Sequence, residues 1–155
     1  METGGWIMKS CLKMMFLFST LLISSSAIAI TTDDLDYARP TDLFERMQAA
    51  CEQNNPDMLF SQLSSSLGNA VKTRAPAAKQ AELFNFYCRE VNNLVNNKLG
   101  GHPEDAHYYV KQGDVFDNGK WKTILCIEPK GQPPGSCQIR FDVTIENGEL
   151  KRDEF

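Results

Sequence analysis

The residues of this chain best equipped for chemistry are crowded into six positions, His102-Pro103-Glu104-Asp105-Ala106-His107, which hold both of its histidines. Histidine supplies a base near neutral pH, and a neighbouring carboxylate can orient it or share a metal with it. His107 with Asp105 or Glu104 is the base-and-orienter pair this stretch allows, with His102 as a second base. The spacing of the two histidines matches no regular zinc motif, and Pro103 makes the segment a loop. It therefore reads first as a connection and only second as a catalytic site. Two other stretches have recognition chemistry. Residues 130–135 (KGQPPG) form an exposed, conformationally restricted tip with Lys130 and Gln132 as contact candidates; a stiff loop loses less entropy on binding. The aromatics Tyr108, Tyr109, Phe116, Trp121 and Phe141 could line a pocket, with Tyr108 and Trp121 as ligand candidates. No Gly-x-Ser-x-Gly, P-loop or dinucleotide fingerprint is present, and no cofactor or metal is expected.

The elements that must position these groups begin with a long helix over residues 75–101. Ala77, Ala81, Phe84, Cys88, Val91, Val95 and Leu99 recur at spacings of three and four and share one face. Leu83, Phe86, Tyr87 and Leu94 widen that face, so the helix is expected to be buried on more than one side. Gly100 and Gly101 end it and Pro103 prevents its resumption. Upstream, Pro40-Thr41-Asp42 starts a first helix with Leu43, Phe44, Met47, Ala50 and Cys51 on one side. Asn55-Pro56-Asp57 starts a second, expected to carry Leu59, Phe60, Leu63 and Leu67, to fade through surface serines 64–66, and to reach the long helix by a link at 71–75. After Pro103 the period switches to alternation. Strands are expected at 106–112, 120–128, 137–146 and 149–155. Turns are expected at Asp117-Asn118-Gly119-Lys120, across the tip, and at Asn147-Gly148. In the third strand Cys137, Ile139, Phe141, Val143 and Ile145 point one way. The last strand is an edge whose charges discourage strand addition. Helices followed by an antiparallel meander of four strands, packed on one long helix, define an α+β fold.

The start of the chain reads as an export signal. Lys9 and Lys13 precede the apolar run at residues 14–23, and Ala27-Ile28-Ala29 is a small-x-small cleavage site. The run is too short to span a bilayer, so no stable membrane anchor is expected. Translation from Met8 would give the more usual opening. Cleavage after Ala29 leaves a loose arm at 30–39 and one domain at 40–155. Removing Glu2, Lys9 and Lys13 from the 16 basic and 20 acidic residues leaves a net charge of −5. Nothing in that charge favours nucleic acid or anionic lipid. Four cysteines then remain, an even number that implies disulfides in an exported chain. Cys126 and Cys137 flank the tip of a hairpin. Cys51 ends the first helix and Cys88 lies mid-way along the long one. The expected pairs are Cys51–Cys88 and Cys126–Cys137. The periplasm is the expected compartment, with release from the cell as the alternative.

The order of elements over residues 76–155, with Asn147-Gly148 and the closing strand, resembles the cystatin-like superfold that includes the nuclear-transport-factor-2-like proteins. That resemblance implies a sheet curved around the long helix. It also implies one of the roles such folds host: small enzyme, ligand pocket, inhibitor or immunity protein. The expected function is an exported binding module that recognises a protein partner or small ligand. The alternative is a small enzyme using His107 in a pocket between helix and sheet.

Overall fold

The structure, a computed structural model, describes residues 30–115 and 121–154. The expected export signal and its cleavage site, Phe116, and the turn expected at Asp117-Asn118-Gly119-Lys120 lie outside the described residues.

Helix α1 (Pro40–Glu52) opens on proline with Asp42 in its first turn and buries Leu43, Phe44, Met47 and Ala50. Helix α2 (Pro56–Phe60) is capped as its sequence dictates: the Asn55 side chain accepts from the Met58 N–H at 3.1 Å. It stops after Phe60, well short of the expected run to Leu67. The cause is competition for backbone bonds. Residues 62–64 are drawn out of the helix to pair with the last strand: Arg152 N–H donates to Gln62 C=O at 2.9 Å, and Ser64 N–H donates to Arg152 C=O at 2.7 Å. Ser64 then restarts the chain as the buried cap of α3 (Ser65–Arg74), its hydroxyl accepting from Leu67 N–H. Ser64 is thus a buried cap, whereas Ser65 and Ser66 lie on the helix surface as expected, and the expected link at 71–75 is mostly helix. The Glu146 carboxylate adds a second cap, accepting from Ser65 N–H at 2.9 Å and its hydroxyl at 2.6 Å. Gly68 lets α3 lie against α2, since a Cβ there would stand 2.7 Å from the Phe60 carbonyl oxygen.

Helix α4 (Ala77–Asn92) continues into a π-helical segment at Asn93–Lys98. Phe84, Tyr87, Val91, Leu94, Val95 and Leu99 are buried along it, whereas Ala77 and Ala81 are exposed. The expected stripe therefore stands clear of the core over its first turns.

Strands β1 (His107–Val115), β2 (Trp121–Glu128), β3 (Ile139–Glu146) and β4 (Glu149–Arg152) form one antiparallel sheet in that order, so the fold is α+β. Asn147 and Gly148 both take positive φ, 54° and 77°, the geometry that suits a two-residue hairpin turn. The inner face, with Tyr108, Val110, Leu125, Ile127, Ile139, Phe141 and Val143, joins the core built by α1 and α4. Two expectations need correction. The arm at 30–39 is docked: Thr32–Asp36 forms a 3-10 turn, Leu35 and Ala38 are buried, and Val110 N–H donates to the Thr32 hydroxyl. Cys137 precedes β3, with φ 43°, and stands outside the strand's alternation.

Both disulfides are present. Cys51–Cys88 ties α1 to α4 with Cα atoms 5.6 Å apart, and Cys126–Cys137 staples residues 129–136 back onto β2 at 4.8 Å. No helix among the described residues is long and apolar enough to cross a membrane.

Candidate functional site

The loop after α4 and the stapled tip, far apart in sequence, meet at one end of the sheet. Lys130 Nζ lies 3.0 Å from Asp105 Oδ2, and the hydrogen bond and charge of Lys130 hold the Asp105 carboxyl below its usual range. The expected pairing of His107 with Asp105 or Glu104 does not form. His102 Nδ1 sits 3.1 Å from Glu104 Oε1, and His107 Nδ1 sits 3.2 Å from Glu128 Oε2. Strand register explains the exchange. His107 is the first residue of β1 and stands directly opposite Glu128 of β2, while a 3-10 turn at Pro103–Asp105 holds the loop carboxylates apart from it. Both imidazoles are about two-thirds exposed, at 68% and 66%. His107 stacks on Tyr109, with centroids 5.7 Å apart, on the sheet face away from the helices. Tyr108 points inward. Its hydroxyl donates to Pro103 C=O at 2.6 Å, its ring packs 6.3 Å from Phe44, and burial raises its hydroxyl pKa. Its ring and hydroxyl thus brace the core. Gln132 accepts from the Gln138 amide within the tip. The side chain of Trp121 lies outside the described residues. No group of three His, Cys, Asp or Glu with metal-site geometry occurs among the described residues.

The carboxylate sequence reasoning missed is Glu128, only 3% exposed. Cys137 N–H reaches its Oε1 at 3.2 Å and Ser136 Oγ at 3.5 Å, with His107 on Oε2. Burial pushes its pKa up, but the bonds from His107, the Cys137 N–H, Tyr109 and Ser136 outweigh it and hold the carboxyl below its ordinary 4.5. Glu128 thus fastens the tip to β2 beside the disulfide. A folded pKa below the unfolded one gives stability that is present above pH 4.5 and lost as pH falls through the folded value. Glu128→Gln is therefore expected to be less stable than the parent at neutral pH and to lose less on acidification from about pH 5 to pH 3. Urea midpoints across that range measure it, and identical pH profiles would refute the role.

Where α1 and α4 face the sheet inside the core, the described residues are packed without ligand-sized space. The void between Leu43, Met47, Val91, Leu125, Val143 and their neighbours is about 10 Å³, room for a single water at most. Larger concavities run along the outside of α4, one of about 670 Å³ over an asparagine-rich stretch between Asn85 and Asn97 and one that reaches the sheet. A cleft of about 610 Å³ lies between the α4 side (Phe86, Arg89, Glu90, Asn93, Leu94 and Lys98) and residues 138–141, with Arg152 and Glu154 at its base. Arg152 is 6% exposed. Its guanidinium sits 4.9 Å from the Tyr87 ring centroid and 4.7 Å from that of Phe141. Its terminal nitrogen bonds Glu90 at 2.6 Å and Glu154 at 3.2 Å, while its buried Nε has no partner. Burial raises the Glu154 pKa against the pull of Arg152, and burial pushes the Tyr87 hydroxyl up to about 12 as it donates to Glu154 C=O.

The rim of this cleft is cationic although the protein is acidic. Among the described basic residues, Arg74, Arg89, Lys98, Lys111 and Arg140 enter no ion pair or side-chain hydrogen bond with another described residue. Three of those five, Arg89, Lys98 and Arg140, line this cleft. The π-helical segment forms its wall at Asn93–Lys98, and such segments are rare and frequent at functional sites. The chain matches no protein-family model, no curated protein and no solved structure. One sign of the cleft was present in the sequence: the alternation of β4 puts Arg152 on the same inward face as Leu150.

Proposed function

We propose that this chain is a small exported binding module, and that the cleft between α4 and β3 is its contact surface. The observation that carries the reading is the grouping of three unpaired cations around a 610 Å³ concavity whose base is braced by Arg152. Cations left unpaired beside a preformed cleft are available to a partner at little reorganisation cost. The two disulfides fit a protein that works outside the reducing cytosol. The finer expectation is the periplasm, reached through a signal cleaved after Ala29. A protein partner or small molecule is the expected occupant, and an inhibitor or immunity role on a cystatin-like scaffold is one version of this. The catalytic alternative finds less support, since His107 pairs with Glu128 on the outer side of the sheet and lines neither the core void nor the cleft described above.

Two measurements test the reading. Mass analysis of the protein recovered from the periplasm is expected to show a chain beginning at Ile30. Amide NMR spectra of that disulfide-bonded protein, titrated with a panel of short peptides and small anions, are expected to shift at residues 86–98 and 138–141. Shifts confined to the tip at 129–136, or none at all, would overturn the assignment of the cleft.

A further inference from the structure

We infer that the occupant of the cleft is an extended acidic peptide segment, with alternate carboxylates set against Arg89, Lys98 and Arg140; this rests on the cleft being the contact surface. Three features separate that ligand from a compact anion. The first is the spread of the cations. Arg89 and Lys98 are nine positions apart on one helix wall, roughly 13 Å at the usual rise. Set that far apart along the wall, they match residues about four apart in an extended strand better than a single compact anion. The second is the length of the wall. Phe86 to Lys98 spans roughly 18 Å, room for five or six extended residues.

The third is the lining between the charges. Phe86, Leu94, Ile139 and Phe141 give the cleft an apolar floor. Asn93, whose Oδ1 accepts from Asn97, keeps its NH2 for a peptide carbonyl, and Gln138, whose NH2 donates to Gln132, keeps its carbonyl for a peptide N–H. In an extended segment successive side chains point opposite ways. Alternating acidic and apolar residues would then meet the rim and the floor in turn. Arg152 already covers one face of the Phe141 ring, which disfavours stacking of a sugar there. Arg152 itself is committed to Glu90 and Glu154, so it braces the base and is not the contact. The acidic overall charge, net −4, leaves this rim as a local reversal of sign. Recognition then depends on the few unpaired cations and not on long-range steering.

The test uses the disulfide-bonded protein and four probes: the capped peptides ELELEL, QLQLQL and KLKLKL, and trigalacturonate as an acidic sugar. Fluorescence anisotropy gives affinities and amide NMR gives the place of binding. ELELEL is expected to bind in the cleft, to weaken as salt rises from 50 to 200 mM, and to lose about tenfold in affinity on Arg89→Gln with Arg140→Gln, about 1.4 kcal/mol. The control pair Arg74→Gln with Lys111→Gln removes two equally unpaired cations elsewhere and is expected to leave binding within twofold. All four positions are exposed, and matched urea midpoints check that the variants fold. Equal or tighter cleft binding of QLQLQL or KLKLKL overturns the acidic ligand while leaving the cleft as the contact surface. Trigalacturonate binding there without ELELEL overturns the peptide in favour of an acidic sugar. Failure of every probe to shift cleft amides overturns both readings.

Discussion

Removing the bond between α1 and α4, by Cys51→Ala with Cys88→Ala, is expected to lower the unfolding free energy by about 3–4 kcal/mol. The bond closes a sequence separation of 37 residues. In the unfolded chain that closure forbids most separations of the two ends, and the lost freedom grows with the logarithm of the loop. The second disulfide closes a separation of only 11, so opening it alone is expected to cost roughly 1 kcal/mol less. The folded state should keep its packing, because Leu43, Phe44, Met47, Phe84, Tyr87 and Val91 still bury the faces the cysteines flank. Urea denaturation of the doubly substituted protein beside the parent measures the change. A larger m-value is expected as well, since the untied unfolded chain exposes more surface. A loss under 1 kcal/mol would show that the unfolded chain is already restricted over residues 51–88.

Arg152→Met is expected to cost about 2–4 kcal/mol. The guanidinium is nearly enclosed, held between the Tyr87 and Phe141 rings and bonded to Glu90 and Glu154. Methionine can fill much of the same volume, so the cost comes less from packing than from two carboxylates left facing each other without a cation. Those carboxylates keep some contact with water, which caps the penalty below that of a fully buried pair. Adding Glu90→Gln and Glu154→Gln to Arg152→Met is then expected to recover at least half of the loss, because the repulsion goes with the charges. Thermal or urea unfolding of the single and triple variants gives both numbers. A triple variant as unstable as the single one would place the effect in shape and not in charge.

How much of this was legible depends on the range over which each feature is decided. The Asn55 cap, the Asn147-Gly148 turn and the switch of period after Pro103 are local, and each appears where the residues put it. The disulfide pairs were legible because two helices and one hairpin leave the four cysteines few ways to meet. The end of α2 was not, because Leu59 to Leu67 reads as continuous amphipathic helix until β4 competes for residues 62–64 from some ninety positions away. The partner of His107 was hidden for the same reason. Glu104 and Asp105 are its neighbours in sequence, but strand pairing delivers Glu128. The cleft was least legible of all. Arg89, Lys98 and Arg140 each read as an ordinary solvated cation, and only the packing of β3 beside α4 brings them around one space.

The bonds from β4 to Gln62 and Ser64 also fix an order of events. A chain threaded from its N-terminus presents residues 62–64 long before Arg152 follows, so until then those backbone groups lack their native partners. The helical half cannot close its own seam, and completion of the fold waits on the arrival of the last strand. Such long-range closure slows folding.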